Sequence, residues 1–115
     1  MGGGTAYSDK QLVVSRTVDP VGLAFSGEID VTNRGAVAKC LAMTPPGEDE
    51  THLDVSGLIF CDISGIRAFV DAAEARRNGR LLLHGLPELL QTVMRVTGWA
   101  DLPTLVFCHC KAGSP

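Results

Sequence analysis

The chain has 115 residues, enough for one domain with a single core. Apolar residues make up 45% and charged residues 20%, the proportions of an ordinary soluble globule, and a net charge of -3 leaves no basic footprint for nucleic acid. No apolar run is long enough to span a bilayer, and the start Met1-Gly2-Gly3-Gly4-Thr5 lacks the basic and apolar regions of a signal peptide, so a cytoplasmic location without membrane insertion is expected.

Residues 1–9 are rich in glycine and read as a flexible lead-in. Gln11 to Arg16 is predicted as a strand, Asp19-Pro20 as a turn, and Val21 to Gly27 as a second strand with Val21, Leu23 and Phe25 on one face. The short break between them predicts a hairpin. Asp30 is a suitable N-cap for a helix through Leu41, whose apolar stripe is Ala36, Val37, Cys40 and Leu41. Thr44 to Glu50 is a loop with an acidic end. Leu53 to Cys61 is then an apolar run carrying only Asp54 and Ser56 as polar side chains, and it reaches the polar corner Asp62-Ile63-Ser64-Gly65.

Helical spacing starts at that corner: Ile66, Phe69, Val70 and Ala73 follow i, i+3, i+4, i+7, with Ser64 or Asp62 as the cap and Asn78-Gly79 as the stop. Arg80 to Gly85 reads as another buried strand. Pro87 opens a third helix with Leu89, Leu90, Val93 and Met94 inward and Gly98 at its end, and Thr104 to Cys108 is the last strand. The tail 111–115 reads as disordered. The predicted order is β-β-α-β-α-β-α-β in a single domain over 10–110: an α/β fold with a mixed, mostly parallel sheet and right-handed crossovers.

A strand turning sharply into a helix directs unpaired N–H groups and short polar side chains at one point, which makes the Asp62 corner the place to look for function. Catalysis is not expected there. The chain has no glycine-rich phosphate loop, and Asp-Ile-Ser-Gly lacks the first glycine of a nucleophile elbow. A serine nucleophile needs a base, and the histidines are His52, His84 and His109. His84 approaches the corner if its strand neighbours the central one, but a structural role is the expectation. Asp54 and Asp62 are too far apart along one strand for a catalytic carboxylate pair. Cys40 and Cys61 read as buried thiols. Cys108-His109-Cys110 lacks a second ligand pair, so neither a metal nor another cofactor is expected.

Three segments carry a family resemblance. Leu53 to Ile66 resembles the signature of STAS domains, named for sulfate transporters and anti-sigma factor antagonists. Ser26-Gly27-Glu28-Ile29-Asp30 resembles the turn before that family's first helix, and Val93 to Trp99 resembles its third helix. The resemblance runs from about residue 11 to 108, with helices packed on one face of the sheet. It implies a stand-alone anti-sigma factor antagonist. Such a protein is not an enzyme; it binds an anti-sigma factor, usually a serine protein kinase, and frees a sigma factor for transcription. In the family the partner phosphorylates the first hydroxyl residue of an Asp-Ser-Ser-Gly or Asp-Ser-Thr-Gly corner, and this ends the binding.

Here that acceptor position is Ile63, which cannot take phosphate. Ser64 matches the second hydroxyl residue, expected to cap the helix, and is the remaining candidate phosphosite. The implied partner surface is Glu28, Asp30, Asp62, Ile63, Ser64 and Arg67. Arg67 stands in the first turn of its helix, where a cation opposes the helix dipole and invites a partner anion. The alternative is a ligand-sensing or transport-associated binding module, because related domains accompany anion transporters and lipid-transport assemblies.

Overall fold

The structure is a computed structural model and describes residues 4–18, 21–43, 50–75 and 79–108. The Asp19-Pro20 turn, the loop from Thr44 to Asp49, Arg76 to Asn78 and the tail from His109 lie outside the described residues.

Six strands form one sheet in the order of the chain: β1 (Thr5–Ser8), β2 (Leu12–Val18), β3 (Val21–Ile29), β4 (Glu50–Cys61), β5 (Arg80–His84) and β6 (Leu105–Cys108). The first three pair antiparallel and the last three join in parallel. The helices α1 (Arg34–Ala42), α2 (Ile63–Glu74) and α3 (Glu88–Thr97) connect the parallel strands. Each crossover steps one strand further in the same direction, so right-handed connections place all three helices on one face. The expected α/β architecture, a mixed, mostly parallel sheet with helices on one face, is present.

One segment differs from the sequence reading. Thr5 to Ser8, taken as flexible lead-in, forms an edge strand against β2. Asp9 makes the turn that returns this strand: its carboxylate accepts from the backbone N–H groups of Gln11 and Leu12 and from the Tyr7 hydroxyl. Four residues with one large side chain give no periodic signal, and the strand depends on β2 for its partner.

Strand alternation separates two faces. Leu12, Val14, Leu23, Phe25, Leu53, Val55, Leu81 and Leu83 point to the helices and form the core with Val37, Ile66, Phe69, Val70 and Met94. Phe25 and Phe69 meet edge to face at 5.3 Å. In α3, Leu90 and Met94 are buried, but Leu89, expected on the inner face, points outward. Gly98 ends α3 at φ 83, a conformation that favours glycine, and donates its N–H to the Arg95 carbonyl.

Candidate functional site

β4 is the longest strand. It pairs with β5 only as far as Asp54 and continues beside β3 to Cys61. The overhang delivers Asp62 at the start of α2. Asp62 is the N-cap: its Oδ1 accepts the Gly65 N–H at 2.8 Å and the Ser64 hydroxyl at 2.7 Å. Ser64, expected as a cap, is not one. It already stands in the helical first turn, where its hydroxyl reaches back to the carboxylate instead of forward to a free N–H.

The two segments that carry the implied partner surface, the turn Gly27 to Asp30 and the corner at Asp62, meet. Glu28 is in register with Phe60 and Ile29 with Cys61, and the Asp62 N–H donates to the Ile29 carbonyl at 3.1 Å. Gly65 makes this contact close: a Cβ there would stand 2.6 Å from Ile29 Cγ2 and 2.7 Å from Cys61 Sγ.

Asp30 does not cap α1 directly. Its Oδ1 accepts from the Thr32 hydroxyl at 2.5 Å and the Thr32 N–H at 2.9 Å, so it closes a turn and the helix begins at Arg34. The Thr32 hydroxyl, then the Gln11 side chain and the Thr32 N–H, hold the Asp30 carboxyl below its usual range.

Asn33 is the residue that sequence reasoning missed. It is buried and ties three segments together: its Oδ1 accepts the Asp30 N–H at 2.9 Å, and its Nδ2 donates to the Glu28 carbonyl at 3.0 Å and to Asp9 at 3.4 Å. The run Asp30-Val31-Thr32-Asn33, rich in turn formers, was the available signal.

Around this frame the surface is apolar. Ile63 is 61% exposed, Ile59 81%, Phe60 52% and Val31 64%. Ile59 and Phe60 stand near the end of β4, Ile63 is the first residue of α2, and Val31 lies in the turn that follows β3. Arg67 is exposed beside them. It pairs with Asp71 at 3.0 Å one helical turn on, and its guanidinium carbon lies 5.8 Å from the centre of the Trp99 ring. Asp71 thus supplies within the chain the anion that a cation in the first turn calls for.

His84 does not reach the corner. Its strand ends opposite Asp54, and its ring meets His52 instead. Among the described residues no group of three or more His, Cys, Asp or Glu side chains is arranged to hold a metal ion. Of Cys108-His109-Cys110, only Cys108, at the end of β6, is described. No helix among the described residues is long and apolar enough to cross a membrane.

The sheet order, the three helices on one face and the capped corner at the end of the central strand define an α/β domain of the STAS type. Residues 12–106 match the sequence profile described as "Mlab, STAS domain", and the chain belongs to the STAS domain family. A solved structure with the same fold is described as an anti-sigma factor antagonist from Mycobacterium paratuberculosis. It superposes with a TM-score of 0.64 over 87% of this chain and 90% of the other, at 18% identity. No curated protein matches in sequence.

Proposed function

We propose that this protein is an anti-sigma factor antagonist. It binds an anti-sigma factor of the serine-kinase type through Glu28, Asp30, Asp62, Ile63, Ser64 and Arg67, frees a sigma factor, and does no catalysis of its own. The observation that carries this reading is the exposed apolar cluster of Val31, Ile59, Phe60 and Ile63 around the capped corner. Large apolar side chains gathered at one exposed place are the mark of a protein contact.

The same residues argue for a contact that phosphorylation does not switch. Ile63 stands where the family carries its phosphoacceptor. The neighbouring Ser64 hydroxyl is engaged by Asp62 at 2.7 Å. A phosphate on Ser64 would add about -1.5 to -2 charges beside that carboxylate and break the cap by repulsion.

The test is a pull-down from the native host, followed by incubation of the recovered complex with ATP and measurement of intact mass. The expected result is a kinase-type anti-sigma factor bound to unmodified protein. Ile63→Asp is expected to lower the affinity at least tenfold while leaving stability within about 0.5 kcal/mol, since the side chain is exposed. One phosphate mapped to Ser64 would replace the unswitched reading with a switch moved by one residue. Recovery of a membrane transport assembly in place of a kinase would overturn the proposal. It would favour the transport-associated module.

A further inference from the structure

Half of the proposed partner surface is held by a part of the chain that contributes no side chain to it. The segment Glu28 to Asn33, which carries Asp30 and the exposed Val31, is bonded at two points to the turn between β1 and β2. The first link is backbone: the Gln11 carbonyl accepts the Glu28 N–H at 2.8 Å. Gly27, at φ 116, makes room for it, since a Cβ there would stand 2.0 Å from that oxygen. The second link runs through side chains. Asn33 Nδ2 donates to the Glu28 carbonyl at 3.0 Å and to Asp9 Oδ2 at 3.4 Å, while Asn33 Oδ1 accepts the Asp30 N–H at 2.9 Å.

We propose that Asp9 is a positioning residue for partner binding: through Asn33 it braces the turn that presents Asp30 and Val31. The edge hairpin of β1 and β2 thereby tunes a surface that lies on other elements. The inference rests on the reading of that surface as the partner site.

The two oxygens of Asp9 do different work. Oδ1 accepts the N–H groups of Gln11 and Leu12 at 2.7 and 2.8 Å, and the Asp9 N–H donates to the Leu12 carbonyl at 2.9 Å, which closes the hairpin turn. Oδ2 faces outward from that turn and accepts the Tyr7 hydroxyl at 2.6 Å and the Asn33 amide. The Tyr7 hydroxyl first, then the Gln11 N–H, hold the Asp9 carboxyl below its usual range, so at neutral pH it is an anion that only accepts. The contact with Asn33 is long, and its effect is restraint more than stabilisation. Asn33 is 1% exposed, and a buried N–H that loses its acceptor is costly to leave unpaired. Without Asp9 the Asn33 amide shifts, and the Asp30 N–H bonded to its other end shifts with it.

The test is Asp9→Asn in the whole chain. It keeps an acceptor for Gln11 and Leu12 but can set an NH2 group against the Asn33 amide. Amide hydrogen exchange in the free protein is expected to quicken at least about tenfold at Asp30 and to stay unchanged at Asp62 and Gly65. Affinity for the anti-sigma factor recovered in the pull-down is expected to fall about three- to tenfold. In a Val31→Ala background the same change is expected to cost less than about twofold, because the positioned contact is already gone, whereas in an Ile63→Ala background it keeps its full effect. A merely structural role would give the same loss in both backgrounds, and that result would overturn the proposal. So would unchanged exchange at Asp30. If Asp9→Asn does not fold, Asp9→Ser, which keeps a turn-forming acceptor too short to reach Asn33, takes its place. Recovery of no anti-sigma factor would sink the partner reading alone, and the Asp30 exchange would then decide the brace.

Discussion

At the scale of the residue, Asp62 has the most consequences per atom. One carboxylate oxygen satisfies a free N–H of α2 and also orients Ser64. Asp62→Ala removes that acceptor and is expected to cost about 1 kcal/mol, the usual value of an N-cap, read as a lower midpoint in urea unfolding at unchanged slope. An unchanged midpoint would mean that Ser64 takes over as cap. Ile63 is the opposite kind of residue: it contributes nothing to the cap and exposes its side chain. Asn33 shows a third pattern, a buried amide whose two ends serve three segments, so the helix start and the end of β3 are fixed together.

At the scale of the element, the site depends on how closely α2 approaches the end of β3. Gly65 permits this approach, because its missing Cβ leaves room for Ile29 and the Cys61 sulfur. Gly65→Ala improves helix propensity by about 1 kcal/mol. It also forces apart a contact that Ile29, fully buried and β-branched, cannot yield. Overpacking of this kind costs about 1–3 kcal/mol, so a net loss of stability is expected in denaturant melts, together with weaker partner binding as Asp62 and Ile63 shift from the end of β3. A stabilised variant would show that α2 is free to slide.

At the scale of the whole molecule, the sheet divides two roles. Its helix-covered face forms the core, the C-terminal ends of β3 and β4 form the proposed partner surface, and the opposite face carries the histidine pair. Cys61 reports on the integrity of this arrangement. Burial, and secondarily the Asp62 charge, push its thiol up to about 12. At pH 8 the reactive thiolate is then rarer by orders of magnitude than in an ordinary thiol, of which about one in four is ionised. Cys61 is therefore expected to resist alkylation in the native protein and to react fully in concentrated urea, as followed by peptide mass mapping. Rapid native labelling would show that the α2–β3 contact opens well below the global unfolding free energy.

Periodicity made the elements legible because each one's apolar pattern is local. The stripe Ile66, Phe69, Val70, Ala73 is buried as its spacing predicts, and the turn Gly27 to Asp30 is linked to the corner at Asp62 by the family resemblance. What remained hidden depends on neighbours distant in sequence. β1 is a strand only because β2 offers it hydrogen bonds, Leu89 faces outward because α3 is rotated against the sheet, and Arg67 finds Trp99 only after α3 has returned the chain. His52 and His84 are 32 residues apart and come within hydrogen-bonding distance only because β5 enters the sheet parallel to β4 and in that register. Local patterns set which segments become helix or strand, but pairing register decides which side chains meet, because a shift of one residue turns every strand side chain to the other face.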